Sequence, residues 1–270
     1  MKTALVSGGT GFIGSKLANA LYSSGCKVTV IDKATHGDTK LNPAINFILG
    51  DIRRIEFCRP YDIVYHLAAI SSSDDSYVYP EDYITTNVWG AYSIVKAFPD
   101  ARVVFSSSHA ATDPHNVYGI TKKSAEHFIN MHKNSVAVRF MNVFGEGQTD
   151  LMQAVPAFCT ALKQNKKAII FGNGKATRDW LYVHDLVDEL IRIGNSKIKG
   201  TTEIGYGSAI STLDMYNLVA RTAKKRPNLK FAPARNWDYS HVGSKYKIRE
   251  PRYGLKEGLR RTVRWYMEER

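Results

Sequence analysis

Six short apolar, β-branched runs recur along the first half of the chain: TALVSGG (3–9), KVTVID (27–32), INFILGD (45–51), DIVYHLAA (62–69), RVVFSSS (102–108) and SVAVRFMNVFG (135–145). Each is apolar at consecutive rather than alternate positions, which suits strands buried on both faces of a parallel sheet. The intervals GFIGSKLANALYSSG (11–25) and TTNVWGAYSIVKAF (85–98) carry helical spacing instead. Strand alternating with helix predicts an α/β fold with a doubly wound parallel sheet. The link from Asp32 to Ile45 is short and polar, so no full helix is expected there.

After Gly145 the pattern changes. GEGQTD is loop chemistry, LMQAVPAFCTALKQN reads as a helix containing a proline, AIIFGNG as a short strand, and VHDLVDELIRIG (183–194) as a helix. The final third is basic and aromatic, punctuated by Pro227, Pro233 and Pro251. A nucleotide-binding domain followed by a smaller C-terminal lobe is expected.

Composition narrows the class. At 44% hydrophobic and 23% charged over 270 residues, the chain is that of a soluble globular protein. No apolar run approaches the roughly 20 residues that cross a bilayer, and the N-terminus lacks a signal-peptide pattern. A cytoplasmic protein with no membrane partner is expected. Cys26, Cys58 and Cys159 are scattered, with no metal or disulfide spacing. The formal charge of +12 is uneven: residues 221–270 hold 15 Lys and Arg against 5 Asp and Glu, a net of +10. No zinc-finger or RNA-binding aromatic motif accompanies that charge, so a lobe for an anionic small molecule is expected rather than a nucleic-acid surface.

The chemistry starts at SGGTGFIG (7–14). Gly8, Gly11 and Gly14 follow the first strand and open the first helix, where a phosphate-binding loop belongs. Phe12 and Ile13 complete that turn. Asp32 ends the next strand, placed to accept from ribose hydroxyls and to repel a 2′-phosphate, which favours NAD over NADP. Tyr118 and Lys122, in VYGITK, share one face of a helix by their four-residue spacing.

Spaced Gly-x-x-Gly-x-x-Gly, the loop resembles that of the extended short-chain dehydrogenase/reductases, in particular the nucleotide-sugar epimerases and dehydratases. The resemblance runs nearly end to end, through GDIR (50–53), HLAA (66–69), YPEDYITTNVWGAYSIVKA, RFMNVFG, FGNGKATRDWLYVHDLVDEL and GLKEGLRRTVRWY. It implies a Rossmann-type NAD-binding domain over 1–145, with 179–205 returning to it. The substrate-binding lobe would be 146–178 and 206–270. It implies Ser108, Tyr118 and Lys122 as the catalytic group. A phenol of pKa near ~10 is too weak a base at neutral pH unless a nearby ammonium favours the phenolate. Asp51 and Ile52 would meet the adenine, and Leu67, Ala68 and Ala69 would line the cofactor. Ser71, Asn142, Arg178 and Arg235 would contact the substrate, the last as the diphosphate clamp of ARNWD (234–238). Family members often pair two long helices in a homodimer.

Two departures follow. Only nine residues separate Ser108 from Tyr118, a shortened loop. The acid pair that dehydratases carry after the catalytic Ser or Thr is replaced by His109 and Ala110, so elimination lacks its proton donor and acceptor. Epimerisation of a nucleotide sugar, most directly at C4, is the expected activity, and reduction of a keto-sugar nucleotide the alternative.

Overall fold

The computed structural model describes residues 1–34, 41–55, 59–235, 238–248 and 250–268. The chain divides into two compact units, residues 1–140 with 187–203, and residues 141–186 with 204–270. The segment 179–186 thus falls in the second unit, and the first unit ends at Phe140 rather than at residue 145.

The first unit is built on a seven-stranded sheet. Its strands are β1 (Thr3–Ser7), β2 (Lys27–Asp32), β3 (Asn46–Leu49), β4 (Ile63–His66), β5 (Arg102–Ser108), β6 (Ser135–Phe140) and β10 (Gly200–Ile204). Their order is β10-β6-β5-β4-β1-β2-β3, and the neighbours from β6 to β3 pair in parallel. The apolar runs of β1, β2, β4, β5 and β6 are therefore buried on both faces, every residue of β4 and β5 being buried, while β3 at the sheet edge stays largely exposed because it has a neighbour on one side only. The chain starts in the middle, winds outward to β3, then returns to β4 on the other side of β1. That reversal leaves a crevice outside the carboxyl ends of β1 and β4, where open α/β sheets bind ligands.

The helices of this unit are α1 (Phe12–Ser23), α2 (Asp75–Val78), α3 (Pro80–Tyr83), α4 (Gly90–Ala97) and α5 (Val117–Met131). A π-helical turn, Ile84–Trp89, joins α3 to α4, so the helix expected over 85–98 opens with a widened turn. Leu5, Val64, Ile94, Val103, Phe105 and Ile129 form the heart of the core.

In the second unit the run 135–145 breaks at Met141, where the chain leaves β6 and begins β7 (Asn142–Phe144). β7 pairs with β9 (Thr177–Tyr182), as do β11 (Ala209–Ser211) and β13 (His241–Val242). A two-stranded sheet joins β8 (Ala168–Phe171) to β12 (Leu229–Ala232). The helices are α6 (Ala154–Lys163), α8 (Thr212–Thr222) and α9 (Gly254–Glu268), while α7 (Val183–Gly194) passes between the units after Leu186. Among the described residues no helix is long and apolar enough to cross a membrane. Cys26 and Cys159 are free thiols; Cys58 lies outside the described residues.

Candidate active site

The glycine loop leaves β1 at Gly8, which holds φ +72, a left-handed conformation that L side chains resist. A Cβ at Gly8 would sit 2.6 Å from Ala68 N, so the loop lies directly against the end of β4. A Cβ at Gly14 would collide with Gly8 O, so the first turn of α1 can pack on the loop only as glycine. Gly11 caps that helix with no side-chain hydrogen bond. The first-turn N–H groups of α1, at Phe12 and Ile13, are thus left for an anion rather than covered by a side chain. Asp32 ends β2, and its carboxylate accepts from Thr10 N–H (3.0 Å) and Ala34 N–H (2.9 Å). It is fixed beside the loop with lone pairs to spare for ribose hydroxyls. These residues fit a dinucleotide.

At the neighbouring position, Asp51 gathers two cations: Arg53 Nη2 at 2.6 Å and Lys33 Nζ at 3.1 Å. Burial opposes ionisation of its carboxyl, but Arg53 and Lys33 outweigh that and hold it well below the usual carboxylate range. Lys33 is thereby turned toward Asp51, and Ile52 is buried in the core against α4 rather than open to a ligand.

Leu67, Ala68 and Ala69 follow β4 and are half-buried. Leu67 N–H donates to Ser7 O (3.1 Å) and Ala68 N–H to Ser7 Oγ (3.4 Å). His66, fully buried, meets Ser7 Oγ through Nδ1 at 2.7 Å. Burial, with Lys122 adding to it, pushes the imidazole down to about 3, so it is neutral at physiological pH.

The fastening of this segment comes from Asn87 in the π-helical turn. Its Oδ1 accepts from Ile70 N–H (2.9 Å), while Nδ2 donates to Ile70 O (3.0 Å) and Thr121 Oγ1 (3.1 Å). Thr121 Oγ1 donates in turn to Tyr118 O (2.9 Å). One buried amide therefore ties the end of β4 to the turn of α5 that carries Tyr118. The sequence singles out Asn87 only by resemblance, because its partners lie 17 and 34 residues away.

Tyr118 and Lys122 stand one turn apart on α5, whose N-terminus is capped by Asn116 Oδ1 accepting from Gly119 N–H at 2.7 Å. Lys122 is buried; its Nζ donates to Ser106 O (2.8 Å) and lies 4.8 Å from the centre of the Phe105 ring. Burial pushes the amine down to about 7, with Glu126 opposing. Ser108 ends β5 and accepts from Ala110 N–H (3.2 Å), leaving its own proton to donate. Ser107 is committed elsewhere: its Oγ donates to Glu126 Oε1 at 2.6 Å. Arg139 Nε and Nη2 each reach Glu126 at 2.8 Å. That buried network separates the two serines chemically. Only the four-residue spacing from Lys122 hints at Glu126 in the sequence.

The shortened loop is a stapled structure. His109–Ala111 form a 3-10 turn, Arg139 Nη1 donates to Thr112 Oγ1 (3.2 Å), and Tyr77 Oη donates to His115 O (2.9 Å). Ser71 is exposed, while Ser76 is buried with its Oγ on Ser73 O at 2.7 Å.

In the second unit Arg178 and Arg235 meet on one carboxylate. Asp238 lies 3.2 Å from Arg235 Nε and 3.9 Å from Arg178 Nη2. Arg235 stacks 4.5 Å above the Phe171 ring, an aromatic the motif reading passed over. Burial pulls the Arg178 guanidinium below its ordinary range, with Asp238 opposing. Two convergent guanidinium groups can grip a phosphate. Asn142 Oδ1 is buried and has no hydrogen-bond partner among the described residues. Within ARNWD, Asn236 and Trp237 lie outside the described residues.

Comparison with known proteins gives the same reading. Residues 4–205 match the model of the NAD dependent epimerase/dehydratase family. A putative UDP-glucose 4-epimerase of Methanocaldococcus jannaschii is 26% identical over 97% of both chains. Among solved structures, a UDP-glucose 4-epimerase with UDP-glucose from Thermotoga maritima superposes with a TM-score of 0.92 at 25% identity, covering 99% of each chain. A UDP-N-acetylglucosamine 4-epimerase from Methanobrevibacter ruminantium, in complex with UDP-N-acetylmuramic acid, gives 0.90 at 25% identity, over 100% of this chain and 99% of that one. A glycine loop pressed on β4, the Asp32 carboxylate, and Ser108, Tyr118 and Lys122 on β5 and α5 agree with that match: the chain belongs to the NAD-dependent epimerase/dehydratase family.

Proposed function

We propose that the chain is a nucleotide-sugar 4-epimerase using Ser108, Tyr118 and Lys122. The observation that carries this reading is the buried Lys122 one turn from Tyr118, with His109 and Ala110 where elimination would need carboxylates. The relatives are named for the same exchange at C4 of a UDP-sugar.

In this reading the loop of Gly8, Gly11, Phe12, Ile13 and Gly14 holds the dinucleotide pyrophosphate, and Asp32 the adenosine ribose. Asp51 borders the adenine, and Leu67, Ala68 and Ala69 line the cofactor path. NAD, when bound, supplies the acceptor and later the donor of the hydride at the sugar carbon. Tyr118 takes the proton of the C4 hydroxyl and returns it at the end of the cycle. Lys122, in its charged form, favours the phenolate. Ser108 donates its hydroxyl proton to the sugar oxygen while Ala110 N–H holds one of its two lone pairs. Arg178 and Arg235 clamp the diphosphate when Asp238 yields, Asn142 offers its bare oxygen to a substrate hydroxyl, and Ser71 borders the sugar.

The partner in solution is a second copy of this chain. Ile84, Trp89, Ile120 and Met131, on the π-helical turn and α5, are 52, 54, 53 and 82% exposed, a concentration of apolar surface that a two-helix face from each copy would cover. Trp89→Glu with Met131→Glu gives a monomer by light scattering where the parent gives a dimer. The free thiols Cys26 and Cys159 suit a reducing cytoplasm.

The test is incubation with UDP-glucose, UDP-galactose and their N-acetyl forms in D2O with NAD, followed by proton NMR and by absorbance of reduced cofactor. Interconversion at C4 without net NADH and without deuterium uptake is expected, and Tyr118→Phe abolishes it. Net consumption of reduced cofactor on a 4-keto sugar nucleotide, without isomerisation, would make the enzyme a reductase instead.

A further inference from the structure

In the second unit two helix-to-strand connections lie side by side. α6 leads into β8 and α8 into β12, and the two strands pair in parallel, Ala168 beside Leu229. Both connections therefore emerge at the same edge. Ala168 N–H donates to Asn228 O (2.9 Å), and Lys225 Nζ donates to Asn165 Oδ1 (3.4 Å). Each helix closes the same way, with Lys166 N–H on Ala161 O and Lys225 N–H on Ala220 O. Each also places a non-glycine residue in the left-handed region, Asn165 and Lys224, both at φ +53. Glycine is favoured there and asparagine tolerated; a lysine is held against its steric preference.

Charge at this edge is one-sided. Residues 151–178 and 215–237 contain 11 Lys and Arg and no Asp or Glu. Six of them, Lys166, Lys167, Lys224, Lys225, Arg226 and Lys230, stand exposed on the two connections and the start of β12. The negative ends of two helix dipoles account for a cation in each last turn, which Lys163 and Arg221 already supply. The six beyond them have no such partner in the helix ends. On β8, Ile169 is 45% exposed and stands opposite Lys230 in the register, on the same face of the strand pair.

We propose that this edge docks the protein on an anionic lipid surface, the cations meeting headgroup phosphates and Ile169 reaching the acyl boundary. A lipid surface offers both negative charge and an apolar layer directly beneath it. Duplex nucleic acid offers the charge without the layer. The absence of an apolar run long enough to span concerns insertion only, and leaves surface binding open.

The test is flotation of the full chain with phosphatidylcholine vesicles and with vesicles one-quarter phosphatidylglycerol, at low and at raised salt. Binding to the anionic vesicles alone is expected, falling at least tenfold at raised salt. Lys224→Glu/Lys225→Glu/Arg226→Glu lowers the partition coefficient by about thirtyfold or more. The matched reversal Lys27→Glu/Lys197→Glu/Lys199→Glu, at exposed sites in the first unit, changes it little, and both variants keep parental isomerase activity and melting temperature. Ile169→Ser weakens binding while keeping its salt dependence. Equal losses in the two charge-reversed variants would reduce the effect to net charge and overturn the proposal. So would tighter binding to a labelled duplex DNA than to the anionic vesicles.

Discussion

The two units bury polar groups in different ways. In the first, the buried carboxylate meets side chains: Ser107 and Arg139 converge on Glu126. In the second, buried carboxylates meet the main chain. Asp179 accepts from Tyr206 and Gly207 N–H at 3.0 and 2.8 Å, and Asp185 from Tyr253 and Gly254 N–H at 2.9 and 2.8 Å. The reason lies in strand length. The strands of the large sheet, four to seven residues long, satisfy their own backbone groups across six neighbour pairs. β7, β11 and β13 have three, three and two residues, so the segments between them leave N–H groups that only a buried acceptor can satisfy. Carboxylate burial thus links side chains in one unit and holds main-chain segments in the other.

Removing a group from each unit separates these roles. Tyr118→Phe lowers kcat by about a thousandfold or more, the range of a lost general base, while its melting temperature and NAD affinity by calorimetry stay near the parent's. A comparable loss of stability would show that the α5 site is as structural as the carboxylates. Asp179→Ala has the opposite signature. Burial raises its carboxyl pKa while four backbone N–H groups oppose that rise, and stranding those donors costs about 4 kcal/mol in urea unfolding.

The third test uses pH. The His66 imidazole titrates near 3 in the folded state because of its burial, against an ordinary value of about 6.5. Between those values the unfolded chain binds a proton that the folded one refuses, so stability rises with pH across the window and is lost as pH falls. A decline of about 2 to 3 kcal/mol from pH 6.5 to 4.5 is expected, and His66→Gln flattens it. A slope unchanged in that variant would assign the dependence to other groups.

Two smaller effects sharpen the picture of the first unit. Asn87→Ala costs about 2 kcal/mol through its stranded partners and raises KM for the substrate more than it lowers NAD affinity. Glu126→Gln keeps the shape of the Ser107 and Arg139 contacts while removing the charge that supports the Lys122 ammonium. The Lys122 titration, read by carbon NMR of a labelled side chain, moves down by roughly half a unit. No movement would make Glu126 a packing residue only.

Much of the first unit was legible in the sequence because its signals are local. A strand, a glycine loop and a helix follow one another within residues 3–23, and Tyr118 and Lys122 share a helical face by spacing alone. The apolar runs predicted a parallel sheet, and the doubly wound order is the one observed. The run 135–145 misled because continuous apolar character marks burial without saying where the chain changes sheet, which it does at Met141. The π-helical turn at Ile84–Trp89 was equally invisible, since its residues keep ordinary helical spacing.

What the sequence determined by itself was the order of elements, the glycine loop and the placing of Tyr118 and Lys122 on one helical face, because these depend on neighbours within one or two turns. Only the tertiary structure decided that Ser107 belongs to Glu126 while Ser108 keeps a free proton, that Lys33 turns to Asp51, and that Arg178 and Arg235 share Asp238. Hydrogen bonds and ion pairs act within a few ångströms in space, and residues 18 to 60 positions apart reach that distance only once the sheets and helices have packed.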